Sequence, residues 1–258
     1  MLFGDTGYIE FKHDEQIVKW AEYAGKKGNE ILANSSQLAK WLQCEGTWFV
    51  GVDVLPNDSG GNFKEIKFPH IFKKLMDKIN LKSYHKAQLS VIFPGYPKPR
   101  AGDSEAAYKY RLKRDAAHVD GLLPIGTNKR RHLIEAHGII LGIPLNNTHS
   151  GASPIVVWEG SHLIMQKEFS NLLSKVAPSG WKDIDLTDTY KKARRNCFEN
   201  CKRIVIESHV GTGYALHPLL LHGITPWVSP LKGLESSNRQ VAYFRPLLNN
   251  VQDWLSLL

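Results

Sequence analysis

The hydrophobic pattern of the chain changes near residue 85. Before that point apolar residues recur at helical spacing. In "DEQIVKWAEYAGKK" Ile17, Trp20, Ala21 and Ala24 fall on one face, and "SQLAKWLQ" continues in the same style, so the first 45 residues read as helical. "TWFVGVDV" reads as a strand. "PNDSGGN" (56–62) reads as a loop by its Gly, Asn and Asp content, and "FPHIFKKLMDKINL" as a helix with proline near its start. Beyond residue 85 the runs become short, apolar or β-branched, and bounded by Gly, Pro or Asn: "AQLSVIFPG", "HGIILGIPL", "SPIVVW", "RIVIES", "GTGYALHP" and "RQVAYFRPL". Two predicted helices interrupt this series, "MQKEFSNLLSKV" (165–176) and roughly residues 187–200.

A helical layer followed by many short strands predicts an α+β fold rather than alternating βαβ units. A jelly roll fits: eight or so strands in two sheets, with the helices packed against one outer face. The reading is of one domain over residues 1–258, with 1–84 a mainly helical N-terminal layer and 85–250 the jelly-roll core. There is no internal repeat and no low-complexity linker.

Composition narrows the class. Hydrophobic residues at 42% and charged residues at 22% are those of an ordinary globular chain, and no stretch approaches the roughly 18 apolar residues of a membrane helix. The first residues carry acidic groups and no apolar run, which predicts no signal peptide and a cytoplasmic location. Cys44, Cys197 and Cys201 make no disulfide framework; they read as packing or surface thiols, with Cys197 and Cys201 close on one helix. The net charge is +8, concentrated in "YKYRLKRD" (108–115), "NKRRH" (128–132) and "KKARRN" (191–196). Such charge steers anionic partners, or is simply solvated surface. Aromatic residues are not interleaved with these runs as in a recognition motif, so they do not indicate nucleic acid binding.

The candidate chemistry begins at "HVDG". His118 and Asp120, two apart, point the same way on extended backbone and offer two metal ligands. A third is available in "GTGYALHPLLLHGITP", where His217 and His222 compete; Gly223 after His222 lets the backbone turn close to a ligand. Two histidines and one carboxylate on one face of a metal form the facial triad of non-haem Fe(II) oxygenases, which leaves positions open for a co-substrate and O2. Downstream, Arg239, Val241, Tyr243 and Arg245 share one face of a predicted strand. An arginine inside an apolar barrel is costly unless it meets a carboxylate, which its planar fork suits; the alternative is a surface arginine on an edge strand. Ser161 and His162 read as shaping the barrel rim. His132 and His137, five apart, do not share a strand face and read as non-ligands.

Together these stretches resemble the phytanoyl-CoA dioxygenase-like family of Fe(II)/2-oxoglutarate-dependent oxygenases, whose core is a cupin-like double-stranded β-helix. "HVDG" is similar to its HxD. "GASPIVVWEGSH" (151–162) resembles its stretch of apolar residues before PGSH, with Trp158 and Glu159 where a proline is common. "GTGYALHPLLLHG" is similar to its distal His-Gly strand, and "RQVAYF" to the strand whose leading arginine holds 2-oxoglutarate. The resemblance implies Fe(II) on His118, Asp120 and His222. It also implies 2-oxoglutarate chelating the iron with its far carboxylate on Arg239, O2 as oxidant, decarboxylation to succinate and CO2, and hydroxylation of a substrate C–H bond. Arg239 stands 17 positions after His222, further than is usual in the family. The insert "VSPLKGLESS" accounts for the distance, and Arg245 stands as a substitute anchor. The long polar segment at residues 94–117 is expected to be a lid or recognition loop. Tyr96, Lys98, Arg111, Trp158 and Tyr243 are candidate substrate contacts, and the basic ones suit an anionic small molecule. Two other readings stand beside this one. The arginines six apart resemble a pair found in nucleic-acid-demethylating relatives of the same superfamily, and a jelly roll can also bind without turnover.

Overall fold

The computed structural model describes residues 2–81, 83–230 and 236–257. Strand β1 (Tyr8–Phe11) precedes α1 (Glu15–Leu32) and α2 (Ser35–Trp41); then come β2 (Leu42–Gln43), β3 (Trp48–Gly51), α3 (His70–Lys78) and β4 (Gln88–Ile92). Helix α4 (Glu105–Lys113) leads into a hairpin of β5 (Leu122–Ile125) and β6 (Arg130–Leu133), followed by β7 (Ile140–Pro144) and β8 (Ile155–Trp158). Helices α5 (Ser161–Leu173) and α6 (Thr187–Asn200) separate β8 from β9 (Arg203–Ile206), β10 (Gly213–Leu216), β11 (His222–Ile224) and β12 (Arg239–Phe244).

The strands form a seven-stranded sheet, β1-β10-β7-β12-β4-β3-β2, facing a three-stranded sheet, β11-β8-β9, with antiparallel pairing throughout. From β7 onward the chain passes back and forth between the two sheets, as in a jelly roll. The predicted strands are in place. Period-two alternation explains the layering. In β8, Ile155 and Val157 face the interior with Ile140, Tyr214, Leu216, Val241 and Tyr243, while Val156 and Trp158 face outward.

That outward pair corrects the expectation of helices on one face. The three-stranded sheet has two apolar faces, and α5 and α6 cover the outer one with Met165, Phe169, Tyr190 and Cys197. Helices α1 and α3 cover the outer face of the larger sheet, where Ile17, Trp20, Ala21 and Ala24 are fully buried against Leu89, Leu141 and Phe244. Asp14 caps α1 through the amides of Gln16 and Ile17. The N-terminal region is not purely helical either, because β1, β2 and β3 belong to the large sheet. Helix α5 begins at Ser161, four residues before its predicted start, and the polar segment 94–117 contains α4. Residues 231–235 of the proposed insert lie outside the described residues. Among the described residues no helix is long and apolar enough to cross a membrane.

Candidate metal centre

Three side chains from two elements meet at one end of the barrel. His118 pairs with His222 as an isolated antiparallel bridge, with N–H to O distances of 2.8 and 3.1 Å in the two directions. This pairing requires residues 115–117 to lie almost on top of β11. Gly223 permits it: a Cβ there would stand 2.2 Å from the Asp115 carbonyl oxygen. Asp115 and Ala116 take left-handed φ values of 53° each, and Arg203 grips the Asp115 carboxylate with two bonds of 2.8 and 3.0 Å. Gly121 closes the other side. Its φ is +84°, and a Cβ would lie 2.0 Å from the Glu135 carbonyl. Tyr110 donates to the Ala117 carbonyl at 2.7 Å, and the Tyr190 hydroxyl accepts from the Val119 amide at 3.3 Å. Both glycines of the "HVDG" and "HG" motifs therefore serve close backbone approach.

The imidazoles are oriented alike. Nδ1 of His118 donates to the Ala116 carbonyl and Nδ1 of His222 to the Leu220 carbonyl, each at 2.9 Å. With Nδ1 donating to a carbonyl in both rings, each Nε2 faces the same space: that of His222 offers its lone pair, and that of His118 does so once its proton, shared with Asp120, is lost. Asp120 Oδ1 lies 3.1 Å from His118 Nε2 and 3.9 Å from His222 Nε2, and the ligand atoms of all three residues lie within 4.8 Å of one another. No other group of this kind exists among the described residues. Despite burial, which works the other way, Asp120 is held well below the usual carboxylate range by His118, His222 and Arg245. The His118 ring is half exposed; its partial desolvation opposes charge, but the hydrogen bond to Asp120 outweighs that and raises the imidazole. Burial, then the charge of His118, pushes His222 down to about 4. Two imidazoles and one ionised carboxylate, converging without a proton on the facing atoms of His222 and Asp120, suit a divalent first-row metal.

The competing histidine is elsewhere. His217 Nε2 bonds to the Leu257 carbonyl at 2.6 Å, and its ring packs on His162 at 4.9 Å and Phe3 at 5.4 Å. Arg239 lies on the interior face of β12 and is only 5% exposed. Among the described residues its Nη1 and Nη2 have no hydrogen-bond partner, and the mutually bonded hydroxyls of Tyr214 and Tyr243 (2.8 Å) lie beside it. Arg245 is occupied: Nη1 stands 3.4 Å from Asp120 Oδ2 and Nη2 donates to Gln88 Oε1. Tyr96 is buried against Trp48, with ring centroids 6.1 Å apart, and near enough to Arg111 and Arg239 for both charges to act on its hydroxyl. Trp158 does not reach the site. It packs on Phe198 on the outer side of its sheet, because its neighbour Val157 is the residue opposite His222. Lys98 is exposed, and Arg111 pairs with Asp103. Tyr214 went unnoticed in the sequence, although the alternation in "GTGYALHP" places it on one face with Leu216.

The basic runs are largely spent within the molecule. Arg130 pairs with Asp185 and Asp188, Lys192 with Glu168 and Lys109 with Glu105. Arg194 lies over the rings of Tyr110 and Tyr190, and Arg114 over Phe198.

No family model matches the chain, and no curated protein matches it. Among solved structures it is similar to AviO1 from Streptomyces viridochromogenes Tue57, at 10% identity over 96% of this chain and 94% of that one, with a TM-score of 0.49. It is similar to EctD from S. alaskensis, determined with 2-oxoglutarate and 5-hydroxyectoine, at 13% identity over 94% and 72% of the two chains, with a TM-score of 0.46. A third is the non-heme alpha-ketoglutarate-dependent carbocyclase SnoK from nogalamycin biosynthesis, at 14% identity over 100% and 88% of the two chains, with a TM-score of 0.44.

Proposed function

We propose that this chain is an Fe(II)- and 2-oxoglutarate-dependent oxygenase that hydroxylates a C–H bond of a small molecule. The observation that carries this reading is Arg239. A guanidinium 5% exposed, with tyrosine hydroxyls beside it and no carboxylate partner among the described residues, is a buried charge without a counter-ion there, which is expensive unless an anion completes it. Its fork matches a carboxylate, and it stands inside the same barrel as a cluster of two histidines and one aspartate. A co-substrate that binds a metal at one end and carries a free carboxylate at the other accounts for both features.

In this reading His118 Nε2, Asp120 Oδ1 and His222 Nε2 would hold the iron. Bound iron and 2-oxoglutarate would activate O2, the oxidant, one oxygen atom of which would go to succinate, formed with loss of CO2, and the other to the hydroxylated substrate. Arg239 binds the far carboxylate, with Tyr214 and Tyr243 shaping that end of the pocket. The carbonyls of Ala116 and Leu220 fix the imidazole tautomers, so no ligand has to turn before the metal binds. Tyr96, buried against Trp48 and within range of the Arg239 and Arg111 charges, can help exclude water from the substrate side.

Purified protein supplied with Fe(II), ascorbate and 2-oxoglutarate should form succinate slowly without a primary substrate, and faster when a pool of small metabolites contains one. His118→Ala and Asp120→Ala should both abolish this. Failure of the wild-type protein to form succinate under any of these conditions rejects the reading. Stimulation by oligonucleotides alone supports the nucleic-acid branch instead.

A further inference from the structure

Arg245 carries a second role that follows from how its own backbone is held. It is the first residue past β12, where the ladder ends with Tyr243 opposite Gln88 and Phe244 opposite Leu141. Its peptide groups therefore need other partners. Two imidazoles provide them. The Arg245 amide donates to His85 Nε2 at 2.6 Å, and His137 Nδ1 donates to the Arg245 carbonyl at 2.7 Å. His85 Nδ1 in turn bonds to Asp53 Oδ1 at 2.9 Å, which leaves Nε2 bare to accept. Both imidazoles line a cavity of about 490 Å³ together with Asp53, Glu135 and Arg245 itself.

From that fixed backbone the guanidinium reaches inward and divides the two oxygens of Asp120. Nη1 takes Oδ2 at 3.4 Å, Gln88 Oε1 holds Nη2, and Oδ1 is left facing His118 Nε2 and His222 Nε2. We propose that Arg245 is a positioning residue that makes Asp120 a one-oxygen metal ligand, and that His85 and His137 act through its peptide groups to keep it there. The proposal rests on the metal-centre reading above. It separates the two arginines of β12 and its end: Arg239, with no carboxylate partner among the described residues, is left for a ligand, whereas Arg245 is already engaged. The consequence is an open site. A carboxylate that swung to offer both oxygens would take up one of the positions the co-substrate needs.

Co(II) binding to the full chain in the absence of 2-oxoglutarate tests this, followed by visible absorption and titration, with circular dichroism to check folding. Arg245→Met is expected to weaken Co(II) binding by about tenfold or more, the usual range for loss of a group that orients a ligand. It is also expected to lower the intensity of the bound Co(II) bands, as Asp120 adds its second oxygen and the coordination number rises. Arg245→Lys should restore the affinity only in part, because an ammonium cannot hold Oδ2 and Gln88 together as the fork does. His137→Phe should shift the spectrum in the same direction by a smaller amount. Arg245→Met with wild-type affinity and spectrum overturns the proposal while the metal centre stands. A wild-type chain that binds no Co(II) overturns both. If Arg245→Met does not fold, Arg245→Lys decides by the same comparison of spectra. If Arg245 were a 2-oxoglutarate anchor instead, Arg245→Met would leave Co(II) binding untouched and raise only the 2-oxoglutarate requirement.

Discussion

Replacing Arg239 by methionine removes a buried charge and leaves a side chain of similar length. Two opposite effects are expected. In the ligand-free protein the guanidinium is 5% exposed, with tyrosine hydroxyls and no carboxylate beside it among the described residues, so its burial is compensated only in part. Substituting an apolar residue for such a buried ion is neutral to stabilising, by about 1–3 kcal/mol. In the liganded protein the same substitution removes a charge-assisted, two-pronged contact. At about 2–3 kcal/mol for what is lost, the Kd for 2-oxoglutarate should rise by roughly 30- to 150-fold, since each 1.4 kcal/mol is about a factor of ten. Isothermal titration of 2-oxoglutarate into the Co(II)-loaded protein reads the second effect, and urea unfolding of the metal-free protein reads the first. A variant that binds 2-oxoglutarate like the wild type refutes the assignment of the anchor. A variant that loses several kcal/mol of ligand-free stability shows instead that Arg239 serves the fold.

Gly223→Ala should lower both stability and metal affinity, because its Cβ would sit 2.2 Å from the Asp115 carbonyl and must push His118 off its bridge to His222; unchanged Co(II) affinity in a folded variant would contradict this. Burial lowers His217 to about 4, below the ordinary value of 6.5. Its unfolded form therefore binds a proton more readily than the folded one. The stability it contributes is full above about pH 6.5 and is lost as pH falls towards 4, on the order of 3 kcal/mol in all. Urea midpoints measured on metal-free protein at pH 7.5 and 4.5 should show this fall, and a flat profile would contradict it. His118 moves the other way, raised by Asp120, so metal uptake near neutral pH should release a proton and tighten as pH rises. Calorimetry in two buffers of different ionisation enthalpy counts that proton, and equal heats in both would count against it.

The jelly-roll strands were legible because each is short, apolar and closed by Gly or Pro, as in "SPIVVW" and "RQVAYF". Helix α6 lies where a helix was expected at roughly residues 187–200. What was missed depends on distant partners. Strand β1 is stabilised by pairing with β10, some two hundred positions away, and "YIEF" alone carries too little pattern to announce it. Helix α4 buries none of its residues, so no apolar stripe marked it within the polar segment. Helix α5 starts after a left-handed Gly160 and has no side-chain cap, which hid its first turn. At the site, spacing picked out His118, Asp120 and the pair of arginines. Spacing left His222 and His217 as alternatives and the resemblance favoured His222; the structure groups His222 with His118 and Asp120 and ties His217 to Leu257. The division of labour between Arg239 and Arg245 likewise depends on which carboxylate lies within reach, a fact no local pattern contains.

Anomalous scattering from iron in crystals grown without oxygen, with Fe(II) and 2-oxoglutarate present, examines the centre directly. A single iron bonded to His118 Nε2, one oxygen of Asp120 and His222 Nε2, with a 2-oxoglutarate carboxylate on the Arg239 guanidinium, is the expected map. Iron bound elsewhere, or a filled metal site with Arg239 still unpartnered, would contradict the account.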